Sequence, residues 1–327
     1  MTKLMIYGAT GYTGRMAAQC AAAAGTPLVL AGRNETALAS LAARLGVEYR
    51  VFALDDLASL DRSLSGVGAL LNCAGPYAMT ADVLMHAAIR HGVDYLDVAA
   101  ELDSYRLADA LDAEALAAGV MLLPGSGGSV AMLGCLAGYL AARTSRPLGI
   151  RLAMHVSGSM SRGSVVSAMG SVTSKTLARR AGTLVASPDA AIRQFDFGNG
   201  AVDCFQVTLP DLMTIWRSTG IPDIETFVHM SGNGFPQGEP AALADGPDEQ
   251  ERLAHRYRAV AEVTSGDGKV VRAILDTVNG YSFTAIAAAE AGRRVLAGER
   301  RPGYQTPAEL FGNGFAGTIA DTTIVDA

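Results

Sequence analysis

Three glycines at intervals of three residues follow directly after the first apolar run of the chain, and this placement constrains the fold more than any other feature. The apolar run is Lys3–Tyr7, and the glycines are Gly8, Gly11 and Gly14. A helical pattern, Arg15–Ala24, comes immediately after them. The order of strand, glycine turn and helix is typical of the first βα unit of a dinucleotide-binding sheet, although the glycines could also simply form a tight βα turn.

Short apolar strands alternate with amphipathic helices through the first third of the chain. In the helix predicted over Glu35–Leu45, the apolar residues fall on one face between an Asn34 cap and Gly46. Further strands are predicted at Pro27–Ala31, Tyr49–Ala53, Ala69–Cys73, Tyr95–Val98 and Val120–Leu123. This alternation predicts an α/β fold of Rossmann type, with a doubly wound parallel sheet covered by helices on both faces.

The pattern changes after Pro124, where a glycine-rich loop leads into an apolar helix and a long strand at Leu148–Val156. Later strands pair locally across glycine-containing turns at 198–200 and 265–268. We therefore predict two domains: a Rossmann domain over 1–124, and a second α+β domain over 125–298 with a mainly antiparallel sheet. Gly, Pro and acidic residues concentrate in Ser231–Asp248, which predicts a mobile stretch.

Composition and net charge indicate which class of partner the protein binds. The 327 residues are 50% hydrophobic and 18% charged, which is typical of a globular protein, and the net charge of −6 provides no field for nucleic acid or an anionic membrane. A small-molecule partner is predicted. The four cysteines and five histidines show no metal-ligand spacing, so no metal site is predicted. Among the histidines, His155 is a candidate site residue. Without a signal peptide or membrane-length apolar run, the sequence predicts a cytoplasmic protein.

The glycine turn is predicted to bind the pyrophosphate of a dinucleotide. Gly8 would form the tight turn, Gly11 would admit the phosphates, and Gly14 would allow close helix–strand packing. The other residues of the turn are assigned to the same cofactor site, namely Thr10, Tyr12 and Thr13. The helix that follows would direct its N-terminus at the phosphates.

Cofactor choice is predicted by the residues that end the second strand. Arg33 and Asn34 stand about 20 residues after the turn, where an NAD enzyme carries an acid for the ribose 2′-hydroxyl. A guanidinium at this place would bind a 2′-phosphate, so the sequence predicts NADP(H); a solvated surface arginine is the alternative. Asp55 could contact the adenine or cap the next helix.

Two later strands end in residues that could meet the nicotinamide half of the cofactor. After the fourth strand comes a loop of small residues and proline that is assigned to the cofactor site, Cys73, Ala74, Gly75 and Pro76. Three residues are catalytic candidates. Tyr77 is a proton donor or a packing residue, Glu101 is an acid–base group or a helix cap, and Asp97 is a residue that orients the neighbouring loop.

The motifs GATGYTG, AGRN, NCAGPY and HGVDYLDVAAE resemble those of the saccharopine dehydrogenase-like reductases, a family that includes trans-acting enoyl reductases. The resemblance implies a Rossmann domain, a second domain whose sheet supports a homodimer, and a C-terminal segment, 299–327, that returns to the first domain. The basic side chains that could hold a multiply carboxylated substrate occur only singly, at Arg151, Arg162, Arg193 and Arg217.

Three functions remain open at this level. The first is an NADP(H)-dependent oxidoreductase that transfers a hydride to an imine or oxo-acid small molecule. The second is a trans-acting enoyl reductase for a lipid or polyketide intermediate. The third is a noncatalytic NADP-binding regulator.

Overall fold

The computed structural model describes residues 2–172, 175–187, 191–232 and 243–327. The chain forms two compact units, one comprising Met1–Gly128 and Thr284–Leu310, the other Ser129–Phe283 and Phe311–Ala327. Each unit contains its own β-sheet. Of the stretch predicted to be mobile, Ser231–Asp248, residues 233–242 lie outside the described ranges.

The sheet of the first unit has seven strands that all run parallel, in the order β15-β6-β5-β4-β1-β2-β3. The strands are β1 (Lys3–Tyr7), β2 (Leu28–Gly32), β3 (Glu48–Val51), β4 (Val67–Asn72), β5 (Asp94–Asp97), β6 (Met121–Leu123) and β15 (Gly303–Tyr304). The strand order reverses at β1, where β4 lies on one side and β2 on the other. Ligands of open α/β sheets bind at such a switch point. The predicted Rossmann architecture is confirmed.

The helices of this unit connect its strands. They are α1 (Tyr12–Ala23), α2 (Glu35–Leu45), α3 (Leu57–Ser63), α4 (Tyr77–His91), α5 (Leu102–Ala110), α6 (Asp112–Ala118) and the part of α11 (Gly280–Leu296) from Thr284 onward. Helix α2 begins at an Asn34 cap and ends at Gly46 in the left-handed conformation, as the sequence predicts. Helices α5 and α6 follow each other directly and are separated at Leu111.

The sheet of the second unit is mixed. Its main path runs β10-β11-β12-β7-β13-β14-β16, and β8 with β9 joins it at β12. The strands are β7 (Pro147–Ser157), β8 (Leu177–Arg180), β9 (Thr183–Ala186), β10 (Ile192–Asp196), β11 (Ala201–Gln206), β12 (Asp223–Ser231), β13 (Tyr257–Ser265), β14 (Val270–Thr277) and β16 (Thr323–Asp326). Among these pairings only that of β12 with β7 is parallel, so the prediction of a mainly antiparallel sheet is confirmed.

Helices and a small aromatic cluster supply the core of the second unit. Its helices are α7 (Gly128–Ala141), α8 (Arg162–Val172), α9 (Asp211–Thr219) and α10 (Glu249–Ala254). Helix α12 (Pro307–Phe311) ends at Phe311, the residue at which the chain enters the second unit again. Helix α7 is buried on nearly every side, as its apolar composition requires. On one face of the sheet, Phe195, Phe197 and Phe227 pack with Cys204. Among the described residues, no helix combines the length and apolarity that a membrane span needs.

The C-terminal segment departs from the prediction that 299–327 as a whole returns to the first unit. Strand β15 does pair with β6 there, but Phe311–Ala327 belongs to the second unit. The reason is an open strand edge: β16 adds to β14 in antiparallel register, with Ala273 opposite Asp326. Phe315 is buried, which anchors the same segment.

Candidate cofactor site

The glycine turn has the backbone geometry of an anion-binding loop. Gly8 has φ +79°, which favours glycine, and a Cβ there would lie 2.8 Å from the Ala74 nitrogen. A Cβ on Gly14 would overlap the Gly8 carbonyl oxygen, so strand and helix can approach only without a side chain. Gly11 is the N-cap of α1 and provides no side-chain cap, and the first turn of α1 has no acidic residue. This helix start is therefore suited to a phosphate group.

The loop Cys73–Pro76 lies next to this turn. The Cys73 amide donates to the Tyr7 carbonyl at 2.8 Å. Asn72 accepts from the Ala74 amide at 2.9 Å, and Thr80 donates to the Ala74 carbonyl at 2.7 Å. The Asn72 amide also donates to Thr80 at 3.0 Å. Asn72 and Thr80 thus fix the loop, a role that sequence reasoning missed because it depends on contacts from β4 to α4.

Arg33 extends from the end of β2 and is exposed. Within the described ranges its guanidinium has no hydrogen bond or ion pair. The neighbouring Asn34 side chain is engaged by α2, since it accepts from the Ala37 amide at 3.0 Å. Asp56, not Asp55, caps α3 by accepting from the Ser59 amide at 2.9 Å, so the alternative role of Asp55 as a helix cap is wrong.

Tyr7, the last residue of β1, lies close enough to Arg33 and Asp55 for both charges to affect its pKa. Burial raises the pKa of the Tyr7 hydroxyl, while the charge of Arg33 lowers it and that of Asp55 raises it. The Tyr7 ring packs on Phe52 at a centroid distance of 5.0 Å. Arg33 and Asp55 therefore lie at the same rim of the sheet, near the ends of β1, β2 and β3.

Asp97 is fully buried at the end of β5 and is surrounded by donors. Its carboxylate accepts from the Gly125 amide at 2.7 Å, from the Ala99 amide at 3.0 Å and from the Tyr95 hydroxyl at 3.0 Å, with Ser104 at 3.3 Å. Burial raises the pKa of Asp97 to about 6, although these hydrogen bonds oppose the change. This geometry favours the role of orienting the loop after β6 over direct proton transfer.

Tyr77 and Glu101 both lie at the start of α4. Tyr77 is the first residue of α4 and is buried, and burial raises the pKa of its hydroxyl well above the usual value. The Glu101 carboxylate accepts from the Ala78 amide at 3.1 Å. Glu101 is the N-cap residue of α5, as the alternative predicted, but its side chain makes no capping hydrogen bond there. Its carboxylate instead binds the N-terminus of α4.

Three of the four arginines that the sequence left as single candidates are in ion pairs within the second unit. Arg151 binds Glu225 at 2.8 Å, Arg162 binds Asp245, and Arg193 lies 3.7 Å from Glu262. Arg217 lies in the last turn of α9. No described cluster of these side chains forms a dedicated site for a multiply carboxylated substrate.

A parallel sheet with a glycine turn at its switch point is the architecture of dinucleotide-binding proteins. Residues 4–123 match the family model of the saccharopine dehydrogenase NADP binding domain. This part of the chain is therefore similar to the dinucleotide-binding domain of saccharopine dehydrogenases. The resemblance seen in the sequence motifs is confirmed.

Solved structures share the fold over almost the whole chain. The apo saccharopine dehydrogenase (L-Glu forming) from Saccharomyces cerevisiae is 14% identical with a TM-score of 0.68, covering 99% of this chain and 100% of that one. The homospermidine synthase from Legionella pneumophila, in complex with NAD, is 12% identical with a TM-score of 0.62, covering 100% and 91%. A search of curated proteins gives no match.

Proposed function

We propose that the protein is an NADP(H)-dependent oxidoreductase that transfers a hydride between the cofactor and an imine or oxo-acid small molecule. The observation that carries the choice of NADP(H) is Arg33, which stands exposed at the end of β2 with no ion-pair partner among the described residues. A 2′-phosphate would provide that partner through a bidentate contact, whereas a 2′-hydroxyl would not. The family model matched by residues 4–123 describes an NADP binding domain, which supports the choice of cofactor.

The residues present fit a dinucleotide. The backbone of Gly8–Gly14, with Thr10, Tyr12 and Thr13, would hold the pyrophosphate, because the Gly14 position has no room for a side chain. Arg33 would bind the 2′-phosphate, and the loop Cys73–Pro76 would border the nicotinamide end. The bound cofactor would supply the hydride, while the protein supplies position and a protected environment.

The three catalytic candidates would have different tasks. Tyr77 keeps its proton at neutral pH because burial raises its pKa, so it could donate a hydrogen bond or proton but not act as a base. Glu101 holds the start of α4 through the Ala78 amide. Asp97 acts as a positioning residue through the Gly125 amide.

Cofactor choice is tested by fluorescence titration with NADPH and NADH. We expect NADPH to bind at least tenfold tighter, about 1.4 kcal/mol, and Arg33→Ser to abolish that preference. Arg44→Ser is the matched control, since Arg44 is an exposed arginine on α2 that bonds Ser40. An equal preference in wild type and Arg33→Ser would rule out the role of Arg33.

Substrate class is tested by NADPH oxidation with a panel of oxo-acid plus amine pairs and a panel of enoyl thioesters. Turnover of the first panel alone supports the proposal. Turnover of enoyl thioesters alone would assign the protein to the trans-acting enoyl reductases. Binding of NADPH without turnover of either panel would favour a noncatalytic regulator.

A further inference from the structure

Two histidines face each other in the second unit. His155 on β7 and His229 on β12 are register partners on the parallel strand pair. Their rings lie edge to face with centroids 4.9 Å apart, and Phe197 lies 5.6 Å from His155 on another side. Both histidines are only half buried, so solvent and small solutes can reach them.

The hydrogen bonds of the two rings determine what they can offer a ligand. His229 Nδ1 lies 2.9 Å from the Asp203 carbonyl oxygen. Because a carbonyl only accepts, this nitrogen must carry hydrogen, and the neutral ring presents a lone pair at Nε2. Protonation converts Nε2 into a donor. His155 Nε2 is already engaged by the Ser231 hydroxyl at 2.7 Å, which leaves its Nδ1.

An excess of positive charge surrounds this pair. Arg258 on β13 is the register partner of His155 on the opposite side from β12. Arg258 and Arg256 share one carboxylate, that of Asp276, at 2.7 and 2.6 Å. Two guanidinium groups on one carboxylate leave one positive charge uncompensated. Burial, followed by the charges of His229 and Arg258, lowers the pKa of His155.

The acids on neighbouring elements are engaged elsewhere. The Asp203 carboxylate binds the Gln194 amide at 3.1 Å, and the Asp196 carboxylate binds the Gly198 amide at 2.7 Å and the Gly200 amide at 2.9 Å. Glu251 accepts from the Ser159 amide at 2.8 Å, and His255 bonds Ser157 at 3.0 Å. No described carboxylate therefore pairs with His155 or His229, and the described residues include no group that could hold a metal ion.

We propose that His155, His229 and Arg258 form an oxyanion-binding site in the second unit, which takes the carboxylate or phosphate group of a small molecule together with protons. An anion is the ligand class that matches two histidines without a described carboxylate partner beside an arginine that shares its carboxylate, Asp276, with Arg256. Binding requires His229 protonated, because only then does Nε2 donate to the anion. The affinity therefore rises as the pH falls, since each proton added to the pair is stabilised by the bound charge.

The probes are sulfate and oxalate, which both keep their charge between pH 6 and pH 8. The full-length protein is titrated with each anion at constant ionic strength, and the ring proton signals of the histidines are followed by NMR. We expect signals of His155 and His229 to shift in a saturable way, with an affinity at least tenfold higher at pH 6 than at pH 8. Tighter sulfate binding would assign a phosphate-type ligand, and tighter oxalate binding a carboxylate-type ligand.

His229→Gln and His155→Gln are compared with His86→Gln, a control on α4 whose ring contacts the Asp82 carbonyl. We expect the first two variants to lose the pH-dependent binding and the control to keep it. The first unit contains neither His155 nor His229, so any anion binding there is the same in the control and in the two variants. The difference between control and variant therefore reports binding at the histidine pair alone. If a variant does not fold, the wild-type measurement still decides: titration of both histidines without any change in their pKa on adding either anion overturns the proposal, as does equal affinity at both pH values.

Discussion

The Asp97 carboxylate accepts a hydrogen bond from the Gly125 amide at 2.7 Å, which ties the end of β5 to the segment that leaves β6. The Asp97 carbonyl reinforces this link by accepting from both the Ser126 amide and the Ser126 hydroxyl at 2.8 Å. One buried residue thus joins two neighbouring strand ends at the edge where such sheets bind ligands.

Replacing Asp97 tests this link. We expect Asp97→Ala to lower the free energy of unfolding by roughly 2–6 kcal/mol, because the Gly125 and Ala99 amides would each lose their acceptor at about 1–3 kcal/mol. Asp97→Asn keeps a carbonyl oxygen for these amides and should cost less. Urea denaturation measures the difference, with the exposed Asp103→Ala as control. Equal stability of Asp97→Ala and wild type would show that the amides find other partners.

The first sheet could be predicted from the sequence because its signals are local. Strand, glycine turn and helix follow one another within Lys3–Ala23, and α2 carries its own cap in Asn34. The role of Asp97 could not be decided in the same way, since its partner Gly125 is 28 residues away. Sequence patterns report periodicity and turns, not which distant donor reaches a buried carboxylate.

The second unit was harder to predict for the same physical reason. Hairpin β13–β14 has a local turn and was predicted, whereas β12 pairs with β7 across more than 60 residues, a pairing that no turn sequence indicates. Strand β16 adds to β14 from the far end of the chain. The family resemblance implied that 299–327 returns to the first domain, but the surface that the tail occupies depends on which sheet leaves an edge open.

Substitutions at two glycines of the turn should affect folding and cofactor binding differently. We expect Gly14→Ala to destabilise the protein and weaken NADPH binding at least tenfold, because its Cβ would overlap the Gly8 carbonyl. Gly11→Val should fold but fail to bind NADPH, since a Cβ there meets only the Gly8 oxygen at 3.3 Å while a side chain obstructs the phosphates. Thermal unfolding and fluorescence titration measure the two effects. Gly317→Ala is the control, because no atom lies within 4 Å of the added Cβ.

We expect the protein to form a homodimer through its second sheet. The outer strands of that sheet expose apolar side chains, with Ile192 on β10 60% exposed and Val325 on β16 54% exposed, and open edges of this kind need covering. Light scattering at micromolar concentration should give the dimer mass. Ile192→Lys or Val325→Lys should weaken association, while Leu253→Lys on α10 should not. A monomer at all concentrations tested would contradict the prediction.

Asp211 predicts a dependence of stability on pH. Its carboxylate is fully buried at the start of α9, neither oxygen has a hydrogen-bond partner in the described part of the chain, and burial raises its pKa to about 7. Because the folded pKa lies above the unfolded value, the added cost of a buried charge is absent at low pH, and stability is lost as the pH rises from about 4 to about 7.

Asp211→Asn removes this titration. We expect the variant to be more stable than wild type at pH 8 by roughly 2–4 kcal/mol, with a smaller difference at pH 4, as measured by urea denaturation. Asp109→Asn, an exposed position on α5, should show no such dependence. A difference between Asp211→Asn and wild type that is the same at both pH values would place the cost in packing instead of ionisation.

The C-terminal tail provides a test of the division into two units. Phe315 is 1% exposed and its ring lies 4.8 Å from that of Phe311, while Asp326 on β16 accepts from the Tyr139 hydroxyl at 3.1 Å. We expect Phe315→Ala to lower the free energy of unfolding by about 3–5 kcal/mol, since it leaves a cavity in the second unit. NADPH affinity should stay unchanged, because the glycine turn and Arg33 belong to the first unit.

Urea denaturation and fluorescence titration of the same variants measure both quantities. Phe205→Ala is the matched control, an aromatic residue 55% exposed on β11, and its removal should change stability by less than about 1 kcal/mol. Deletion of 312–327 should repeat the effect of Phe315→Ala on stability, because it also removes the pairing of β16 with β14. If Phe315→Ala weakens NADPH binding together with stability, the tail contributes to the cofactor site, as the family resemblance implies.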